Sequence, residues 1–157
     1  MGYVDFYILD SVDPHNRLLI ACRLCEKAWH GGYRILILSE TREQQETVDN
    51  LLWTFRPGSF VPHAIENNRA HSCTPVILSD SLNTESDINL LINLKSSAID
   101  SPESIERIIE IIDQEEQVRL DGRQRYRYYQ KIGKILRSHR IPVGIPGIEK
   151  NPIDREP

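Results

Sequence analysis

Ile35-Leu36-Ile37-Leu38 is an uninterrupted aliphatic run, preceded by Gly31-Gly32 and followed by Thr41. A short run that does not alternate with polar residues predicts a strand buried on both faces, the habit of parallel sheets covered by helices. The residues on either side agree. Upstream, Asp13-Pro14 reads as a helix start, a capping acid followed by proline at the first helical position. Leu18, Ala21, Cys22, Cys25, Ala28 and Trp29 then recur at helical spacing, and Gly31-Gly32 stops the helix. Further back, Val4, Phe6 and Ile8 alternate with Asp5 and Tyr7, which predicts a strand over residues 3–9.

Downstream, Thr41 is placed to cap a second helix, with Gln44 completing a capping box. That helix carries Val48, Leu51 and Leu52 and ends near Trp53. Pro75-Val76-Ile77-Leu78 predicts a third strand and Leu90-Leu91-Ile92-Asn93-Leu94 a fourth, with residues 79–87 connecting them. Residues 66–72 are polar and are expected to be exposed. Residues 101–104 read as a short helix or turn, and the β-branched residues after them predict a strand over 107–112. A long helix is expected over 114–137, capped by Asp113. Helices alternating with strands give an α/β fold, a Rossmann-like three-layer sandwich around a mostly parallel central sheet. Residues 1–140 form a single domain in this reading. The tail from 141 to 157 holds Pro142, Pro146, Pro152 and Pro157 and is expected to be flexible or draped on the surface.

Composition narrows the function. A chain of 157 residues suits one core, and a net charge of -4 argues against nucleic-acid binding by bulk electrostatics. No apolar run reaches the roughly 20 residues that span a bilayer, and no leader-like start is evident, so no membrane association is expected. Three cysteines, an odd number, fit free thiols in a reducing cytoplasm.

A Rossmann-like order invites nucleotide binding. The first strand-to-helix turn, Asp10-Ser11-Val12-Asp13-Pro14, has no glycine, and its two acids would repel a phosphate. No GxxxxGK[ST] sequence occurs, so neither nucleotide nor cofactor is expected. Cys22 and Cys25 form a CxxC with His30 nearby, and His71 and Cys73 are distant candidates for a metal. The motif lacks a second ligand pair and sits mid-helix, so two buried residues on a core face explain it. His63 has no nucleophile motif to serve, and Glu115-Glu116 fit the first turn of a helix. No catalytic residue is assigned.

Two segments carry a binding signal. Trp53-Thr54-Phe55-Arg56-Pro57-Gly58-Ser59-Phe60-Val61-Pro62-His63 sets three large aromatics in a loop stiffened by proline. Such rings either enter the core or form a partner surface. Near the C-terminus, Arg119, Arg123, Arg125, Arg127, Lys131, Lys134, Arg137 and Arg140 accompany the acid Asp121. Arg119, Arg123 and Arg127 are spaced by four and line one helix face, bordered by Tyr126 and Gln130, while Val118, Tyr129, Ile132 and Leu136 are expected to pack inward. The face is a solvated surface, a site for acidic peptide, or a groove for single-stranded nucleic acid.

Three blocks resemble the bacterial DNA polymerase III chi subunit: Phe6-Tyr7-Ile8-Leu9-Asp10, the Leu52–His63 segment, and Arg123-Gln124-Arg125-Tyr126-Arg127-Tyr128-Tyr129. They recur in the same order over most of the chain, short of its longer tail. The resemblance implies a Rossmann-like fold and a non-catalytic accessory subunit of a DNA-directed DNA polymerase complex. It implies that Arg123, Tyr126 and Arg127, with Arg119 helping, bind the acidic C-terminal tail of the single-stranded DNA-binding protein, which ends in proline, phenylalanine and a free carboxylate. It further implies that Trp53, Phe60 and His63, supported by Arg56 and Pro62, meet the psi subunit of the clamp-loader complex or, in some bacteria, a repair helicase. DNA would be engaged only indirectly. The family often has a basic residue where this chain has Gln130. The alternative is a module that binds single-stranded nucleic acid directly through the basic helix.

Overall fold

The computed structural model describes residues 2–58, 60–65, 74–82, 88–99 and 105–142. The elements are β1 (Tyr3–Leu9), α1 (Pro14–His30), β2 (Ile35–Leu38), α2 (Arg42–Thr54), β3 (His63–Ile65), β4 (Val76–Ser79), β5 (Leu90–Asn93), β6 (Arg107–Ile112), α3 (Glu116–Lys131) and β7 (Ile135–Ile141). Seven strands form one sheet in the order β3-β4-β2-β5-β6-β1-β7, and every pair runs parallel. Ile35, Leu36, Ile37 and Leu38 are all buried, as an aliphatic run between two helical layers requires. Ile35 and Ile37 pack with Leu24, Val48 and Leu52 of α1 and α2. Leu36 and Leu38 face the other way, with Phe6 and Tyr129 of α3. The result is the expected three-layer α/β sandwich, with α1 and α2 on one face of the sheet and α3 on the other.

Local signals fix the helix starts. Asp13 accepts from the His15 amide at 3.0 Å, and Pro14 takes the first helical position. The His15 amide at the start of α1 is thus served by a carboxylate where a nucleotide fold would place a phosphate. Thr41 accepts from the Gln44 amide at 3.0 Å, and Gln44 reaches back to the Glu40 amide at 2.7 Å. Cys22 and Cys25 are buried core residues; burial pushes the Cys22 thiol up to about 12 and Cys25 well above its ordinary value. Among the described residues no cluster of His, Cys, Asp or Glu could hold a metal, and no helix is long and apolar enough to cross a membrane.

Three elements, β3, α3 and β7, differ from the sequence expectation. β3 was not expected; three residues following two prolines give no readable alternation. The last helix is shorter than residues 114–137. It begins at Glu116 behind Glu115, whose carboxylate accepts from the Val118 amide, while Asp113 is buried and accepts from the Glu115 amide. It ends at Lys131 because Gly133 adopts φ +89°, a conformation that releases the chain from the helix. Ile135–Ile141 then pairs with β1 as an edge strand, so Lys134 and Arg137 leave the expected helix, Arg140 lies on the strand, and Ile132 is exposed rather than packed. Ile141, the first residue assigned to the tail, closes β7 and is buried. Residues 66–73, 101–104 and 143–157, and with them His71 and Cys73, lie outside the described residues.

Asp5 explains the pull on the last strand. Its fully buried carboxylate accepts from Arg107 Nη2 at 2.8 Å and Arg137 Nε at 2.8 Å, with His139 Nε2 3.1 Å away. Burial works against its ionisation, but hydrogen bonds from Arg137, Arg107 and His139 hold it below the ordinary aspartate value. β6, β1 and β7 are thereby pinned together across the sheet.

Candidate functional site

The loop after α2 divides its side chains between core and solvent. Val61 is buried and Phe55 packs against the core, which anchors the loop, and Gly58 at φ +78° makes its turn. Trp53 and Phe60 point outward, 54% and 55% exposed, with ring centroids 5.6 Å apart. His63 lies under Trp53, centroids 4.7 Å apart, with its side chain buried. Its Nδ1 donates to the Val61 carbonyl, and its Nε2 lies 3.1 Å from Asp49 Oδ1. Arg56 ion-pairs with Glu26 of α1, and Pro62 is half-buried. Of the residues singled out, Trp53, Phe60 and Arg56 offer contact surface; His63 and Pro62 support it. Two adjacent exposed aromatics on a fixed base form a patch suited to an apolar partner surface.

The second candidate is built on α3. Val118, Gly122, Arg125 and Tyr129 recur at helical spacing and face the sheet. Gly122 permits the close approach, because a Cβ there would stand 2.5 Å from Ile112 Cδ1. Arg125, which the sequence groups with the free cations, is buried. It donates to Glu110 at 2.8 Å and to the Ser96 carbonyl at 3.0 Å. Glu110 also accepts from Asn93 at 2.8 Å and Tyr129 at 2.7 Å, and Tyr129 accepts from the Ile99 amide. Burial pushes Glu110 up, opposed by Arg125 and by the hydrogen bonds of Asn93 and Tyr129. This network ties α3 to the sheet, and its one trace in the sequence is a lone acid, Glu110, inside an apolar strand.

With α3 so fixed, Arg119, Arg123 and Arg127 are exposed, and their side chains have no ion pair or hydrogen bond among the described residues. Tyr126, 37% exposed, lies beside them with its ring 5.3 Å from Phe6. Unpaired guanidinium groups next to a partly exposed ring can take a carboxylate-rich ligand bidentately while the ring contacts an apolar group.

The model of the family "DNA polymerase III chi subunit, HolC" matches residues 1–137. The chain belongs to the DNA polymerase III chi subunit family. It is 34% identical over 142 residues to the DNA polymerase III subunit chi of Pseudomonas aeruginosa, covering 90% of this chain and 99% of that protein. It is 29% identical to the subunit chi of Haemophilus influenzae and 26% identical to that of Escherichia coli, each over 138 residues. These cover 87% and 85% of this chain, and 95% and 94% of those relatives. Membership makes the chain a chi-type accessory subunit of DNA polymerase III. Both candidate surfaces fall within the residues that the chi model matches, and they lie on opposite faces of the sheet: the aromatic patch at the end of α2, the arginine row on α3.

Proposed function

We propose that this chi-type subunit is a non-catalytic adaptor in DNA replication. It joins the clamp-loader assembly, through psi, to the acidic C-terminal tail of the single-stranded DNA-binding protein. The observation that carries this reading is the row of unpaired arginines on a rigid helix beside Tyr126. The tail supplies carboxylates for Arg119, Arg123 and Arg127 and a terminal ring for the Tyr126 side. The Trp53–Phe60 patch is the surface for psi, or for a repair helicase where one uses the same face. Joining a weak tail contact to a second, linked contact raises effective concentration, so coated template recruits the polymerase assembly without either contact being tight. Catalysis belongs to other subunits.

Calorimetry with a peptide copy of such a tail tests the assignment. The peptide is expected to bind, and to bind more weakly as salt rises. Arg123→Ala and Arg127→Ala should each cost on the order of 1.5–3 kcal/mol, the usual worth of a charge-assisted contact. Unchanged affinity in both variants would remove α3 as the tail site. The same protein should bind a bare single-stranded oligonucleotide weakly at physiological salt, since its net charge is -4 and one helix face must meet the phosphates. Submicromolar oligonucleotide binding would favour the direct nucleic-acid reading.

A further inference from the structure

Resting on the reading of α3 as a site for acidic peptide, we infer that edge strand β7 forms the second wall of that site and that Arg140 binds the ligand. The sequence reading leaves Arg140 beyond the end of the expected helix; its actual place follows from strand register. Ile8 pairs with Arg140, Phe6 with Ser138 and Val4 with Leu136. Register partners in a parallel sheet project to the same face. Val4, Phe6 and Ile8 pack on the α3 face, as does Leu136. His139 stacks on Tyr7 at 4.7 Å, on the opposite face, so alternation turns Arg140 toward α3.

Its height along the sheet also fits. α3 connects two parallel strands and therefore runs antiparallel to β7, with Arg119 near the end of the sheet where β7 finishes. Tyr126 stands over Phe6. Ile8, level with Arg140, is about 7 Å further along the strand, and at helical rise that distance is about four to five residues of α3. Arg140 is thus level with the turn carrying Arg119 and Arg123. A shallow groove results, with the arginine row and Tyr126 on one side, Leu136 and Arg140 on the other, and Ile8 in its floor.

Charge identifies the occupant as an acidic peptide. Arg140 is exposed and has no ion pair or hydrogen bond of its side chain among the described residues, including with Asp10, the acid that follows β1. Arg137, by contrast, is committed to Asp5. The acid of α3 beyond its first turn, Asp121, accepts from Gln117 on the flank away from Tyr126. Four guanidinium groups without a partner among the described residues, around an apolar floor, are complementary to carboxylates flanking an aromatic terminus.

The test is fluorescence anisotropy on the full chain, with a labelled aspartate-rich peptide ending in Pro-Phe and a free carboxylate. Arg140→Ala should weaken binding about five- to tenfold, flatten the salt dependence and leave the melting temperature unchanged. Arg140→Lys should recover part of the loss, since it keeps the charge and loses the fork. A peptide with asparagine in place of aspartate should be insensitive to Arg140→Ala. If Arg123→Ala weakens binding and Arg140→Ala does not, β7 is no part of the site while the reading of α3 stands. If the unaltered protein does not bind the acidic peptide, or Arg123→Ala has no effect, both fall together.

Discussion

Asp5→Ala is expected to cost about 3–5 kcal/mol of stability, because it leaves the buried Arg107 guanidinium without its carboxylate. Arg137 and His139 lose the same partner, so the tie between β1 and edge strand β7 loosens as well. A domain of this size is stable by only about 5–15 kcal/mol, and its melting point falls about 2–4 °C per kcal/mol lost, so the variant should melt at least several degrees lower. Arg137→Ala, which removes a partly buried partner at the edge strand and leaves Arg107 paired with Asp5, should cost less. The pH dependence has the same origin. The folded-state carboxyl sits below its ordinary value, so its contribution is present above the unfolded value of about 4 and is lost as pH falls from there through the lower folded value. Urea denaturation of both variants at neutral pH checks this. A loss below about 1 kcal/mol for Asp5→Ala would show that the cluster does not hold the edge strand.

Glu110→Ala is the second large effect, again about 3–5 kcal/mol, since Arg125 would stay buried and uncompensated. Asn93 and Tyr129 would lose an acceptor at the same time. This substitution differs from the first in its functional reach. Arg125 and Tyr129 seat α3, and Arg119, Arg123 and Arg127 are aimed by that seating, so peptide affinity should fall although Glu110 touches no ligand. Removing both charges in a Glu110→Leu, Arg125→Met double variant should be less destabilising than Glu110→Ala alone, because no buried charge is then stranded. Additive losses in that cycle would contradict the coupling of the pair.

Much of the sandwich is legible in the sequence because its signals are local. Asp13-Pro14, Thr41 with Gln44, and the aliphatic runs of β2, β4, β5 and β6 each specify an element without reference to anything distant. The end of α3 is not local in this way. Residues 135–141 carry enough aliphatic and basic side chains to continue a helix, and what turns them into a strand is Gly133 together with a buried acid more than a hundred residues earlier. Long-range pairing of this kind leaves no periodicity to read. The same limit applies to the arginines. Spacing alone selects Arg119, Arg123 and Arg127 as one row, but it cannot tell that Arg125 and Arg137 are already paired while Arg140 has no partner among the described residues. For the aromatic segment the residues alone lean toward the core and leave a partner surface open, and burial decides it: Phe55 and Val61 turn in, Trp53 and Phe60 turn out.

The two-surface adaptor is tested most directly by measuring both contacts on the same pair of variants, Trp53→Ala and Arg123→Ala. Psi co-purification and calorimetry with the acidic, phenylalanine-ended peptide give the two readings, with melting temperatures alongside. The exposed positions of Trp53 and Arg123 predict stability changes within about 0.5 kcal/mol for both, and so little change in melting temperature. Distant sites on opposite faces of the sheet should act independently. Trp53→Ala should lose psi and keep the peptide, and Arg123→Ala should lose the peptide and keep psi. Loss of both partners in either variant, or of neither in both, would contradict two separate surfaces.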